Sequence, residues 1–522
     1  MIKLTSILSK KYLNYASRQY FFLTFSMLSC IHIDYANAED IRDVEVKTSY
    51  YVERKSYGTG RETEPPRYVK QANKTWLKDY EAFKDLDWLD IGLDYRIRAE
   101  NRDNDYRRKT DTIDESILLR TRAYVAIKDI LDPLRFTLEV EDAQRNNSQF
   151  TRSFDTRDIN KAEPIQAYLE LYFKNSILGK DDLGNERPVS IKAGRQAFEY
   201  LDKRLFARND WRNTTNNYQG LRVTLGQKKN DWQLDLLALK PVQRFSQSLD
   251  EVNHSQDVYG AIFDWRRWSN VATLQPYYYV FRQDGDQVKY TTNGEIETKD
   301  TSRIDRSIHT AGLRAFGVIE KTGFDYDINY LKQWGSQDKS LNGQKLDHEA
   351  YSYNAEIGYS PKHSWKPRFS AFYGFASGDK NPNDGKSQRF DAPFGFARPW
   401  SNNDYFDMAN IRAPKVRVEF EPQVSWLESL KVDTGFSWYR LDSATDRWRG
   451  GDLRDQTGAS GKDVGKEFDM RVRFPINQFI SANLGYAHFW AGDFTKTQTE
   501  KAEANRRDNS DFLYAEFSIS AF

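Results

Sequence analysis

The chain has 522 residues and a mass of 61.2 kDa, with 77 basic residues against 76 acidic ones, a net charge of +1 and a mean hydropathy of −0.80. Aromatics at 15% exclude a disordered chain, and the balanced charge gives no footprint for a nucleic-acid binder. Past the first forty residues no stretch holds the ~18 uninterrupted apolar residues that a spanning helix needs, which excludes a helical membrane protein.

Residues 1–38 read as a cleaved Sec signal peptide. Lys3, Lys10, Lys11 and Arg18 form the basic start, an apolar run covers about Tyr20–Ile33, and Ala36-Asn37-Ala38 is the cleavage site, with Glu39 as the mature start. A lipoprotein signal acylated at Cys30 is the weaker rival. Cys30 is the single cysteine, so the mature chain is expected to carry no disulfide, thiolate metal site or cysteine nucleophile. Residues 39–86 are charged, contain Pro65-Pro66 and show little periodicity. They are expected to be a periplasmic lead-in, mostly irregular, with a short helix near Trp76–Phe83.

From residue 87 to 522 the chain alternates with period 2. Leu93, Tyr95 and Ile97 oppose Asp94, Arg96 and Arg98. Leu119, Ala123 and Val125 oppose Arg120, Arg122 and Tyr124. Phe468, Met470 and Val472 oppose Asp469, Arg471 and Arg473. Many runs have about 9–12 residues, the length of a tilted strand crossing a bilayer. Links between runs alternate between short (129–133, 227–231, 268–270, 320–323, 361–366, 475–478) and long (145–163, 201–217, 284–307, 379–410, 443–464, 492–510). That asymmetry predicts an all-β transmembrane antiparallel barrel of about 18 strands, with short periplasmic turns and long extracellular loops. Sixteen remains the alternative count. The strands are placed near 87–101, 115–128, 134–144, 164–175, 188–200, 218–228, 231–244, 257–267, 270–283, 308–318, 322–335, 348–361, 366–378, 411–422, 428–442, 465–475, 478–491 and 511–522. Tyr172, Phe173, Trp232, Trp265, Trp334, Tyr359, Trp438 and Trp490 near strand ends suit interfacial girdles.

Three segments carry a resemblance. One holds Gly194-Arg195-Gln196, then Asp202, Arg204, Asp210-Trp211 and Asn213, and Gly220-Leu221-Arg222. The second runs from Ser377-Gly378-Asp379 to Phe390-Asp391. The third runs from Gly485-Tyr486 to Gly492-Asp493. With these motifs the chain resembles the alginate-export family of outer-membrane barrels over most of 65–522. The resemblance implies an eighteen-stranded barrel in a Gram-negative outer membrane whose basic lumen passes an anionic polysaccharide outward. It leaves the cargo of this chain open.

Alternation assigns lumen side chains independently of that resemblance. The basic candidates for the substrate path are Arg96, Arg98, Arg120, Arg122, Lys192, Arg222, Arg417 and Arg471, with Arg208 and Trp211 added from the link 201–217. That link is the expected constriction, where Trp211 is available to stack on a sugar. A latch holding the loop to the wall is favoured for Asp202 and Asp210, a lumen role for Arg208. Inward acids such as Glu139, Glu141, Asp264, Asp327, Glu356 and Asp433 nearly cancel the bases. Two arrangements fit: a basic wall facing an acidic one, or a salt-bridged ladder that stiffens the wall.

No enzyme signature is present. The 379–385 stretch fails calcium-loop spacing, the six histidines have no metal-ligand spacing, and Ser481 and His488 lie seven residues apart on one strand. No metal or cofactor is expected. Expected partners are outer-membrane lipid and lipopolysaccharide, an anionic polysaccharide or small solute, and periplasmic proteins of a secretion complex, with the barrel a monomer. The expected function is a channel for an anionic polysaccharide or similar solute. A substrate-selective diffusion porin is the first alternative and a surface receptor or adhesin the second.

Overall fold

A computed structural model describes residues 47–57, 64–107, 112–149, 156–284, 287–290, 296–300, 304–339, 343–502 and 509–522. The expected signal peptide, Cys30 and the start of the lead-in lie outside the described residues.

Eighteen strands form the wall. They are β1 (Leu89–Asp103), β2 (Ile113–Leu131), β3 (Leu134–Asn146), β4 (Asn160–Phe173), β5 (Val189–Gln196), β6 (Tyr218–Gly226), β7 (Trp232–Gln243), β8 (Gln256–Trp265) and β9 (Thr273–Gln283). They continue as β10 (Arg306–Val318), β11 (Phe324–Asp338), β12 (Lys345–Tyr359), β13 (Arg368–Ala376), β14 (Ile411–Phe420), β15 (Lys431–Arg440), β16 (Asp463–Pro475), β17 (Ile480–Ala491) and β18 (Asn509–Ala521). Each pairs antiparallel with the next. β18 returns to β1, with Ala521 opposite Leu93 and Asp511 opposite Asp103. Closure leaves no unpaired sheet edge, which a wall in lipid requires.

The alternation sorts the faces. In β1, Leu93, Tyr95 and Ile97 are exposed on the outside, while Asp94, Arg96, Arg98, Glu100 and Arg102 are buried inside. The outer face also carries Trp334, Tyr359, Trp438 and Trp490. Tyr172 departs from the expected girdle. Its neighbour Phe173 takes the outer face, and Tyr172 turns inward under Arg135, 3.6 Å from the guanidinium. Successive residues of a strand cannot share a face.

Two link expectations change. The link 174–188 lies at the end bearing both termini but is not a tight turn. Asp181 orders it by accepting from the backbone N–H groups of Leu183 and Asn185 and from the Asn230 side chain. The polar link after β17 contains a helix, Asp493–Ala502.

The lead-in does not hang below the barrel. Lys70 and Gln71 pair with Ile91 and Asp90 on β1, beyond the point where β18 ends. Trp76 stacks on the terminal Phe522. The expected helix is reduced to 3-10 turns at Ala72–Lys74 and Trp76–Asp79. Upstream, the segment runs into the lumen.

Candidate functional site

Of the arginines that β1 and β2 aim inward, the register stacks Arg96, Arg98, Arg120 and Arg122, with Arg96 opposite Arg120 and Asp94 opposite Arg122. Their shared partner is the loop 197–217, which folds into the barrel. Arg96 donates to the carbonyls of Asp210 (2.7 Å) and Arg212 (2.8 Å) and to Asn213 Oδ1 (3.0 Å). Arg98 donates to the Trp211 carbonyl (2.7 Å) and pairs with Glu100 and Glu516. Arg120 reaches the Asp210 carbonyl at 2.9 Å. Arg122 bridges Asp210, Glu141 and the Thr215 hydroxyl. The carboxylates paired with Arg96 and Arg120, those of Glu516 and Asp94, stand 3.6 Å away. Carbonyl dipoles therefore carry much of the neutralisation.

The loop is held at every turn. Leu201, Asp202 and Lys203 all have left-handed backbone, with φ of 53°, 56° and 66°. That conformation is uncommon for three consecutive non-glycine residues. Asp202 holds it by accepting from the Arg204 backbone and side chain. Arg208 places two nitrogens on Glu139, at 2.9 and 2.5 Å, and a third on Asp210. Burial alone would raise the Asp210 carboxyl; Arg122 and Arg208 outweigh it and hold the group well below the usual carboxylate range. Asn213 donates toward the carbonyls of Leu119, Gln144 and Asp158. Trp211 lies under the guanidiniums of Arg98 (3.9 Å) and Arg398 (3.6 Å), and its indole N–H donates to Asp404.

A second inserted segment, within 388–410, packs on the first. Ala207 N–H donates to the Phe394 carbonyl, and Phe396 N–H to the Lys203 carbonyl. Together they bury Phe206, Trp400, Tyr405 and Phe406 against inward Leu237, Leu239, Tyr277, Tyr279, Phe281 and Tyr439. Strands β7–β9 thus present an apolar stripe to the lumen, which the sequence reading missed. In β9 both sides of the run Tyr277-Tyr278-Tyr279-Val280-Phe281 are apolar, so polarity cannot say which faces in.

The lead-in crosses the mouth at the terminus-bearing end, the periplasmic end of such barrels. Tyr50 N–H donates to the Lys229 carbonyl of one turn. Tyr57 is buried across the mouth, over Arg417 at 3.5 Å, with its N–H on Glu356 and its hydroxyl accepting from Asn402. Glu64 returns to pair with Lys192 (2.9 Å) and Arg222 (2.7 Å). Desolvation in the crowded mouth would by itself raise the carboxyl of Glu64, which keeps 46% of its side chain exposed, but these two cations bring it down to about 2. Tyr68 bonds Glu139 and fits over Gly92, where a Cβ would stand 2.8 Å from its ring.

Acids and bases of the wall alternate between neighbouring strands rather than forming opposed walls. Arg314 pairs with Asp327; Arg368 with Asp325, Glu356 and Glu419; Arg417 with Asp433 and Asp469. The ladder has a surplus in one place. Arg417, Arg471 and Arg473 share the single carboxylate of Asp433 at 2.7, 3.0 and 3.1 Å. Arg471 and Arg473 border a recess of about 960 Å³ at the periplasmic mouth. Arg54, Lys55, Arg67, Lys203, Lys362, Lys366, Arg398 and Lys431 also line it, against Glu53, Glu419 and Glu421.

The sequence profile for alginate export matches residues 87–508. The chain belongs to the alginate export family. No curated protein matches it. Three Pseudomonas aeruginosa crystal structures share its fold. OccK8 (OprE) is 14% identical with a TM-score of 0.52, over 83% of this chain and 98% of that one. OccD3 (OpdP) is 9% identical with a TM-score of 0.51, over 83% and 91%. OpdQ is 14% identical with a TM-score of 0.50, over 83% and 98%. The protein is thus an outer-membrane channel of porin-like architecture.

In this alginate export barrel the motif residues have separable places. Gly194 has φ +134° and faces Gly220 across β5–β6, and a Cβ on it would stand 2.4 Å from the Ala167 carbonyl. Arg195 pairs with Glu163. Gln196 donates to the Gly220 carbonyl. Asp202, Arg204, Asp210, Trp211 and Asn213 all belong to the inserted loop. Among the described residues no cluster of His, Cys, Asp or Glu is arranged to hold a metal.

Proposed function

We propose that the protein passes an anionic solute, in the first instance an anionic polysaccharide, through a lumen gated by the loop 197–217 and by the lead-in. The observation that carries this reading is the pair Arg471 and Arg473, which line the basic periplasmic recess and share Asp433 with the buried Arg417. A guanidinium can grip a carboxylate through two parallel hydrogen bonds, so a uronate chain can replace Asp433 on Arg471 and Arg473. Arg473 keeps 41% of its side chain exposed. Such contacts must stay weak and repeated for a polymer to move. Beyond the recess, the same chemistry continues at Arg96, Arg98, Arg120 and Arg122 once the loop carbonyls leave them. Lys192 and Arg222 become available when Glu64 withdraws. Membership of the family supports outward passage and periplasmic secretion partners.

Planar-bilayer recordings of the mature protein, with and without soluble polyuronate, test the reading. Anion-preferring current blocked by the polymer is expected, with both properties reduced in Arg471→Ala/Arg473→Ala. Current indifferent to polymer and to these substitutions would make the protein a diffusion porin. No current even after deletion of residues 201–217 would make it a plugged receptor.

A further inference from the structure

The outer face carries cations that the lumen does not use. Near the loop-bearing rim, Arg412 on β14, Arg440 on β15 and Lys466 on β16 are exposed. They face lipid, since their neighbours Ile411, Tyr439 and Glu467 are buried inside. Arg412 lies directly opposite Arg440, and Lys466 lies between Trp438 and Trp490. Those tryptophans mark the interfacial girdle. Arg440 is two residues beyond Trp438, about 7 Å toward the loops, which is headgroup depth.

Two other cations on this rim have an acid beside them, Lys240 with Asp257 at 2.6 Å and Lys332 with Glu349 at 3.5 Å. Arg412 contacts Asp442 at 2.7 Å yet keeps 47% of its side chain exposed, and Asp442 also accepts from Gly378 N–H. Asp463 stands opposite Arg440 in register, but Arg440 and Lys466 form no ion pair among the described residues. Like charges directly opposite on a sheet repel, and an external anion between Arg412 and Arg440 relieves that. Four residues deeper on the same strands, Val416, Phe436 and Phe468 form the upper border of an apolar groove of about 680 Å³ that runs down past Ile357 and Phe369 to Phe324 and Tyr359 near the short turns. Cations above an apolar groove match one kind of molecule in that position.

The geometry points to a site for a phosphorylated glycolipid of the outer leaflet on β14–β16. Its phosphate bridges Arg412 and Arg440, Lys466 holds the headgroup from below, and an acyl chain lies in the groove. The site is separate from the lumen and does not depend on the cargo.

Native mass spectrometry of the detergent-solubilised barrel tests it, with bis-phosphorylated lipid A as the probe. Each of Arg412→Gln, Arg440→Gln and Lys466→Gln is expected to weaken binding about fivefold, and the triple variant about a hundredfold. Lys332→Gln, a paired cation on the same rim, should leave binding unchanged. Heat-modifiable gel mobility verifies that each variant is folded. Undiminished binding by the folded triple variant overturns the proposal. Equal binding of dephosphorylated lipid A reduces the site to an apolar groove, and displacement by millimolar inorganic phosphate makes it a free-anion site; either result refutes it.

Discussion

Asn213→Ala is the sharpest perturbation of the inserted loop. The Asn213 amide nitrogen faces the carbonyls of Leu119, Gln144 and Asp158 at 2.9–3.0 Å, and its oxygen accepts from Arg96 at 3.0 Å. An amide has two N–H groups, so three acceptors share two donors. Two neutral bonds at about 1 kcal/mol each and one charge-assisted bond at about 2 kcal/mol total roughly 4 kcal/mol of docking. At about 1.4 kcal/mol per decade, the docked-to-released ratio should fall nearly a thousandfold. Arg208 is a buried and Arg212 a half-buried trypsin site in the docked loop. Limited trypsin digestion of the folded barrel should therefore cut the variant at these two arginines and leave the wild type uncut at them. In bilayers the variant should open more often. A folded Asn213→Ala barrel that resists trypsin as well as wild type, with unchanged current, would refute the pin.

Four further outcomes are expected. Deleting residues 48–69 should raise single-channel conductance, because it removes Tyr57 and Glu64 from the mouth; an unchanged conductance would show that the lead-in does not obstruct the path. The Glu64 carboxyl is lowered from 4.5 to about 2, so its contribution to lead-in docking is complete above about pH 4.5 and is lost as pH falls toward 2. The hydrogen-exchange protection factor of the Val69 N–H, which donates to the Pro66 carbonyl, should stay high down to about pH 4.5 and fall below it, and Glu64→Gln should show low protection throughout. Tyr57→Ser should lower the same protection, since it removes a cation–π contact of about 1–2 kcal/mol, while gel mobility of the barrel stays unchanged. Gly194→Ala should lower the folded fraction after membrane insertion, because its φ of +134° and the Ala167 carbonyl leave no room for a methyl group; wild-type assembly yield would contradict the close approach.

The wall was legible in the sequence because lipid imposes a rule on every strand. Outward residues must be apolar, so Leu93, Tyr95 and Ile97 set the face of β1, and the opposite parity places Arg96 and Arg98 inside. The same rule, repeated with long and short links, gives the closed antiparallel sheet and its eighteen strands. It fails where both parities are aromatic, as in β9, and at Tyr172, where polarity does not rank two adjacent rings. The family motif around Gly194–Asn213 covers the end of β5 and most of the inserted loop. Its partners were not legible: Arg96 and Asn213 are 117 residues apart.

What occupies the lumen was decided by tertiary structure alone. Alternation says that Arg120 points inward; it cannot say whether water, a substrate or the Asp210 carbonyl meets it there. Glu64 and Tyr57 lie in a segment without periodicity, and only the closed barrel brings them to Lys192, Arg222 and Arg417. The physical reason is one of range. The face of a strand is fixed by each residue's local choice between lipid and interior, whereas the plug is fixed by charge pairs and ring contacts between segments far apart in sequence.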